Sequence, residues 1–336
     1  MSKAKIIGTG MYAPGDAIDN QELMKLANVE FDADKIAGKI GIKARHIAHL
    51  RGIDETTLDF STKAAEAAIA DAGIKPEDVN LFVLGTDTPE FVTPAGAIMV
   101  QGRIQGGERF GGAFDVSASC ASFTTALNAA SAMVAADESV KYAVVIGCYN
   151  MPQYVREGDS FGYSIFADGA GAVVLERTDD ADESGYMAGQ HVVDGTQWDY
   201  IGVYAGGTRR PVTKEVLDEG KFGLELVKPL PGDRNVKLWP PIARMLAEKA
   251  GVKVDDIDQF IFTQINSSVI DAVMDELGQP KDQAVKIMDR YGYTGSGCVP
   301  MALHVAREEG TIKKGDLVMC IASGAGFAVC GNVFKM

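Results

Sequence analysis

Cys120 lies in Asp115-Val116-Ser117-Ala118-Ser119-Cys120-Ala121-Ser122-Phe123-Thr124, a run of small residues leading into an Ala-rich amphipathic stretch, Ala121–Ala136. A cysteine at a helix N-terminus sits beside unpaired N–H groups and the positive end of the helix dipole. That placement predicts a lowered pKa and a thiolate. Small neighbours admit a substrate carbonyl to the sulfur, and the free N–H groups can stabilise the oxyanion that forms. The pattern points to a nucleophile for acyl transfer; the alternative is a small buried apolar side chain, as most free cysteines are. Cys148, Cys298, Cys320 and Cys330 form no CxxC pair, and a total of five is odd. Neither a disulfide framework nor a metal site is expected, and a reducing cytoplasm fits best. The four histidines (46, 49, 191 and 304) are scattered, and we read them as surface or packing residues.

The elements that must hold this cysteine follow from periodicity. Buried strands are expected at Lys5–Gly8, Leu81–Gly85, Ala143–Gly147, Gly171–Glu176, Gln259–Phe262, Leu317–Ile321 and Phe327–Val333. Helical patterns cover Asp59–Ala72, Ala121–Ala136, Pro240–Ala250, Ser267–Leu277 and Pro300–Glu309. Their alternation argues for an α/β protein with a largely parallel sheet. The chain also repeats itself: Ala72–Phe82 lies over Ala250–Phe260 at an offset of 250 − 72 = 178, with Ala, Gly, Lys, Asp and Phe identical. Lys141–Gly147 and Lys314–Ile321 correspond at about 173. Two related halves are predicted, 1–177 carrying the cysteine and 178–336 completing the site, with the boundary in the acidic stretch Thr178–Gly185.

Several functions are disfavoured by composition. A formal charge of −14 over 336 residues leaves no basic face for nucleic acid. No apolar run reaches the ~18–20 residues of a membrane span. Met1–Gly8 reads as a first strand and its turn rather than a signal peptide. Asp168-Gly169-Ala170-Gly171-Ala172 lacks the GxGxxG spacing and leads into a strand, so it reads as a tight turn and not a dinucleotide site.

Nearly the whole chain resembles the thiolase superfamily, and within it the β-ketoacyl-acyl-carrier-protein synthase III (KAS III) branch. The stretches that carry the resemblance are Ile6–Pro14, Gly41–Ala48, Asp115–Phe123, Phe166–Ala172 and Ser323-Gly324-Ala325-Gly326-Phe327, in the family's order and at its spacing. It implies a duplicated five-layer αβαβα fold, a homodimer, and acylation of Cys120 by an acyl-CoA or acyl-carrier-protein thioester, with no bound cofactor. The backbone N–H groups of Cys120 and Ala325 would form the oxyanion hole.

The resemblance also exposes departures. Decarboxylating members pair the cysteine with a histidine and an asparagine, and here Thr263 and Tyr293 stand at those places. Tyr293 is read as a substitute hydroxyl donor or as a space-filler, and Asn266 and Gln264 as amide candidates. We assign Thr263 and Gln264 to the substrate-binding wall and Cys298 to packing. Asp87 stands where the related hydroxymethylglutaryl-CoA (HMG-CoA) synthases carry a catalytic glutamate, as a base toward a carbon acid or thiol; the alternative is an Asx turn or a helix cap. Lys35 replaces the adenine-stacking tryptophan, and with Lys39 it could meet a phosphate or simply be a solvated face. Phe91 falls where the family sends an interface loop toward its partner.

Three readings follow. The first is an acyl-Cys120 condensing enzyme that works without malonyl decarboxylation, in the manner of HMG-CoA synthase or of thiolysis. The second is a non-catalytic or partner-dependent subunit of a heteromeric complex with an accessory protein. The third is an ordinary KAS III.

Overall fold

The apolar runs assemble into two main sheets, beside two small two-stranded ones. In the computed structural model, which describes residues 3–179 and 182–336, the first sheet is formed by β1 (Ala4–Tyr12), β2 (Leu81–Gly85), β3 (Gly112–Val116), β4 (Tyr142–Tyr149) and β5 (Gly169–Arg177). Their order across the sheet is β1-β5-β4-β2-β3. The second sheet contains β6 (Gly185–Val193), β7 (Gln259–Phe262), β8 (Leu317–Gly324) and β9 (Ala328–Lys335), ordered β7-β8-β9-β6. The main helices are α1 (Thr57–Asp71), α2 (Gly96–Gln105), α3 (Ser122–Ala136), α4 (Arg234–Ala250), α5 (Ser267–Leu277) and α6 (Cys298–Glu308).

Helices α1 and α2 cover the outer face of the first sheet, while α4, with α5 packed on it, covers the outer face of the second. Helices α3 and α6 lie between the sheets and touch both. This is the five-layer αβαβα arrangement of the thiolase-like fold. It explains why β2 and β4 carry no charged residue: helices cover both faces, so each strand is buried along its whole length.

The repeat is legible in the pairing. β2 runs parallel to β4, β4 antiparallel to β5, and β5 antiparallel to β1. In the same way β7 runs parallel to β8, β8 antiparallel to β9, and β9 antiparallel to β6. The side chains that lock the repeat match as well. Asn80 Oδ1 accepts from the N–H of Lys141 and Tyr142, and Asp258 Oδ2, at the equivalent place, accepts from Leu317 N–H. Pairing registers equate Ala143 with Val318, an offset of 318 − 143 = 175 rather than about 173. The second sheet lacks a full counterpart of β3. Among the described residues a single parallel bridge, Phe260 to Ala284, stands beside β7 in that place. Of the boundary stretch Thr178–Gly185, residues 180 and 181 lie outside the described residues.

Among the main elements, β3, α2 and the bounds of β6 were not anticipated. Strand β3 carries Asp115 and is half-buried along its length, and β6 alternates weakly, so neither gives a strong apolar signal. Helix α2 begins at glycine. Helix α4 begins at Arg234, not at Pro240, and keeps Pro240 and Pro241 inside it. Proline is most at home in a first helical turn. Here fully buried Trp239, stacked on Phe262 at 4.9 Å, anchors the turn that precedes the pair.

Candidate active site

The C-terminal ends of the parallel strands β2 and β4 point to one place, where open α/β sheets usually build their sites. The segment after β3 arrives there too, and its geometry is tight. Ser122 Oγ accepts from Ala118 N–H and donates to the Ser119 carbonyl, which closes the loop ahead of α3. Inside this loop Ser119 takes a φ of +51°, a left-handed conformation that costs a non-glycine residue roughly 1 kcal/mol or more. Asp115 stays out of the chemistry, because its two oxygens accept from Gly96 and Ala97 N–H and cap α2.

Cys120 immediately precedes Ala121, the N-cap of α3, and keeps partial solvent access. The expected thiolate is not found. Burial pushes the Cys120 thiol up to about 12, and neighbouring Asp87 pushes it in the same direction. A helix N-terminus contributes on the order of 1 kcal/mol, less than the desolvation of a charge at this depth. Burial thus holds the Cys120 thiol against ionisation. Hydrogen bonds from Tyr293 and Tyr149 to the sulfur act the other way and favour the ionised form, and Ser119 Oγ lies 3.8 Å from it.

Asp87 follows β2 and is held in place rather than free. Ser119 Oγ donates to its Oδ2 at 2.9 Å, while Oδ1 is buried without a hydrogen-bond partner. Desolvation raises its pKa to about 6, against the Ser119 hydrogen bond, which lowers it. The loop that carries it is clamped at both sides. Glu90 accepts from Thr56 Oγ1 and Leu58 N–H at the start of α1, and Thr57 Oγ1 donates to the Thr88 carbonyl. Thr88 Oγ1 accepts from Asn150 N–H, and Asn150 Nδ2 donates to buried Asp168. Asp168 also accepts from Ala48 N–H. Burial raises the Asp168 pKa to about 7.

Tyr293 sits on a short parallel bridge to Phe166, donating its N–H to Ile165 and accepting from Ala167. Its ring packs 5.8 Å from Phe166 and 6.2 Å from Tyr149. Both tyrosines are fully buried. Burial, then the Cys120 sulfur, raises both phenols well above their usual range, so both remain protonated donors. Gly295 makes this approach possible. It has a φ of +44°, and a Cβ there would stand 2.3 Å from the Tyr149 ring. Cys298 opens α6 nearby, its thiol raised to about 12 by burial and, in smaller part, by Cys120.

The turn after β8 closes the other side. A side chain on Gly324 would meet Ala118 O at 2.6 Å and Cys120 N at 2.9 Å, so the Gly324–Phe327 turn bears directly on the Cys120 backbone. Ala325 is the next residue in that turn.

The remaining candidates have other tasks. Gln264 is fully buried: its Nε2 donates to the Phe262 and Val285 carbonyls and its Oε1 accepts from Ile287 N–H. Thr263 Oγ1 accepts from Ser323 N–H and ties β7 to β8. These two side chains brace the strand end instead of lining a substrate channel. Asn266 caps α5, accepting from Val269 N–H and Ser268 Oγ, so its carbonyl oxygen is engaged in a cap. Amide and hydroxyl side chains at a strand-to-helix turn suit backbone capping as well as catalysis, and capping prevails here. Lys35 and Lys39 stand exposed on segment 33–40, which packs on α5. Phe91 is exposed on the loop after Asp87. His46, His191 and His304 make their hydrogen bonds to Pro14, Asn128 and Thr9, away from this group. No cluster of three or more metal-ligating side chains occurs among the described residues, and no helix there is long and apolar enough to cross a membrane.

Two members of the group were not singled out from sequence, Ser119 and Tyr149. Tyr149 had a usable signal, since it ends a strand parallel to the one that delivers Asp87. Ser119 had none, because a serine among small residues is unremarkable until its backbone angle is known.

Comparison with known proteins decides the family. Residues 114–195 match 3-oxoacyl-[acyl-carrier-protein (ACP)] synthase III, and residues 247–336 match its C-terminal part. A β-ketoacyl-[acyl-carrier-protein] synthase III of Solibacter usitatus is 33% identical over 100% of this chain and 99% of its own. The synthase III of Rhizorhabdus wittichii is 34% identical over 97% of each chain. The chain belongs to the KAS III family. The crystal structure of 3-oxoacyl-[acyl-carrier-protein] synthase III from Aquifex aeolicus superposes with a TM-score of 0.85 at 30% identity, covering 99% of this chain and 100% of that one. KAS III membership makes the chain an acyl-transferring, condensing enzyme of the thiolase-like fold.

Proposed function

We propose that this KAS III member takes an acyl group from a coenzyme A or carrier-protein thioester onto Cys120 and condenses it with a second, malonyl thioester. Loss of CO₂ from the malonyl unit leaves an enolate. Its carbon attacks the acyl–Cys120 carbonyl, the tetrahedral intermediate expels the cysteine sulfur, and a 3-oxoacyl thioester departs. The observation that carries this reading is the convergence of Asp87, Ser119, Tyr149 and Tyr293 on one thiol at the start of α3. The names of the relatives support the KAS III reading over the non-decarboxylating one. The two buried phenols, which burial keeps protonated, are suited to donate to the enolate oxygen. Tyrosine donors in apolar sites serve enolates elsewhere, so the missing histidine is no bar to decarboxylation. The Cys120 and Ala325 N–H groups are assigned to the oxyanion hole, and the Gly324 contact supports that pairing.

One observation favours a second reading. The unpartnered Asp87 Oδ1, with its pKa near 6, suits a base toward the methyl carbon of an acetyl thioester, as in HMG-CoA synthase. Acceptor choice separates the two. The purified protein, given an acyl-CoA and either malonyl-carrier protein or acetyl-CoA, should release CO₂ and a 3-oxoacyl product only with the former. Product from acetyl-CoA without CO₂ would establish the second reading instead. Inactivity with both, reversed by an added subunit, would establish the partner-dependent one.

The halves 1–177 and 178–336, a cytoplasmic setting and a homodimer belong to the same proposal. All strands of the first sheet precede residue 178, and all five cysteines are free. For the dimer, β3 is the outermost strand of the first sheet, and Phe91, Val92, Ile98 and Phe110 are exposed. Lys35 and Lys39 remain the candidates to meet a coenzyme A or carrier phosphate.

A further inference from the structure

We propose that Ser119 is the proton relay between the nucleophile and its base, an assignment that rests on Cys120 being the acylated residue. Its Oγ stands 2.9 Å from Asp87 Oδ2, to which it donates, and 3.8 Å from Cys120 Sγ. One hydroxyl therefore touches both ends of the required transfer. Its backbone is held at a φ of +51°, and the Ser122 side chain, bonded to the Ser119 carbonyl and to Ala118 N–H, holds that conformation. Among the described residues Asp87 has one side-chain partner, Ser119, and its other oxygen is without a hydrogen bond.

The step balances without a further reactant. As Sγ bonds to the donor carbonyl carbon, the thiol proton passes to Ser119 Oγ and the Ser119 hydroxyl proton passes to Asp87 Oδ2. The carbonyl π pair moves to oxygen and then returns. Return of that pair expels the donor's leaving thiolate, which recovers the proton from Asp87 along the same path. Ser119 finishes unchanged, the donor's thioester bond is broken, and the new thioester is on Cys120. This relay makes acylation possible from a thiol that burial holds far from ionisation.

The test uses p-nitrophenyl acetate on the full-length protein, with acetyl transfer to Cys120 read by intact mass and a Cys120→Ala control. Ser119→Gly removes the hydroxyl while glycine accepts the left-handed backbone without strain. Ser119→Ala serves as a second variant. Each should lower the acylation rate about 100-fold, the lower end of general-base contributions. Asp87→Asn should lose a similar factor, and Ser119→Gly with Asp87→Asn should be no slower than either alone, since a relay fails as a unit. The wild-type rate should rise through pH 6 to a plateau, and both single variants should lose that inflection. The other titratable side chains facing the pair are Cys298, Tyr149, Tyr293 and Tyr154, whose raised pKa values lie well above it. Glu90 also acts on Tyr154 and stays in all variants. A Ser119→Gly rate within threefold of wild type, or losses that multiply in the double variant, would overturn the relay alone. Wild-type protein that takes up no acetyl group would remove nucleophile and relay together.

Discussion

A thiol held near pKa 12 does not ionise by itself at neutral pH, and this organises the chemistry around Cys120. The same burial that suppresses the thiolate keeps Asp87 protonatable near 6 and both phenols neutral. Each of the three is thereby suited to a different role as base or donor. Tyr293→Phe should therefore leave acylation of Cys120 within a few-fold of wild type but slow condensation about 100-fold, the scale of losing one oxyanion donor. Comparing the acylation burst with steady-state turnover would check it. Asp87 also carries a stability cost. Its folded pKa is raised, so the native state holds the proton more tightly than the unfolded chain does between about pH 4 and 6. Stability falls across that window as pH rises, and the full cost persists above it. Asp87→Asn should raise the melting temperature at pH 8 and match wild type at pH 4, with a gain of at most about 3 kcal/mol. Melting curves at the two pH values decide it.

At the scale of elements, two glycines let backbone and ring approach where side chains would clash. Gly295→Ala would force a left-handed alanine against the Tyr149 ring. A loss of about 2–4 kcal/mol is expected from strain and overpacking together, read as a lower urea midpoint with unchanged slope. The strands and central helices were legible in the sequence because both faces of β2, β4, β7 and β8 are covered, leaving unbroken apolar runs. Cys120 was legible because small residues before an Ala-rich helix are a local signal. Its protonation state was not: the spacing reveals the helix start but not the desolvation, which depends on parts of the chain distant in sequence, such as the turn at Gly324. Gln264 and Asn266 misled for a related reason. An amide at a strand end looks the same in sequence whether it faces a substrate or braces the backbone. Helix α4 ran six residues earlier than its prolines suggested, because Trp239 packing outweighs the missing proline N–H.

The whole molecule is a duplicated sandwich whose two central helices, α3 and α6, bring Cys120 and Cys298 into one group. Those cysteines are themselves 298 − 120 = 178 residues apart, the offset of the first repeat. The first sheet ends on β3, Phe110 just ahead of it is 99% exposed, and Val92 on the loop after β2 is 92% exposed. An open strand edge flanked by an exposed aromatic is suited to a second copy. Sedimentation at micromolar concentration should give a dimer, and Val92→Asp with Phe110→Asp should shift it toward monomer; an unchanged monomer in wild type would remove this surface from the account. The formal charge of −14 adds repulsion between copies, so dimerisation should strengthen with salt. The role of Cys120 comes down to the chemistry at one sulfur. Intact mass after incubation with a panel of acyl-CoAs should show one added acyl group in wild type and none in Cys120→Ala. An adduct that persists in Cys120→Ala, or none with any donor, would contradict the assignment of Cys120 as the nucleophile.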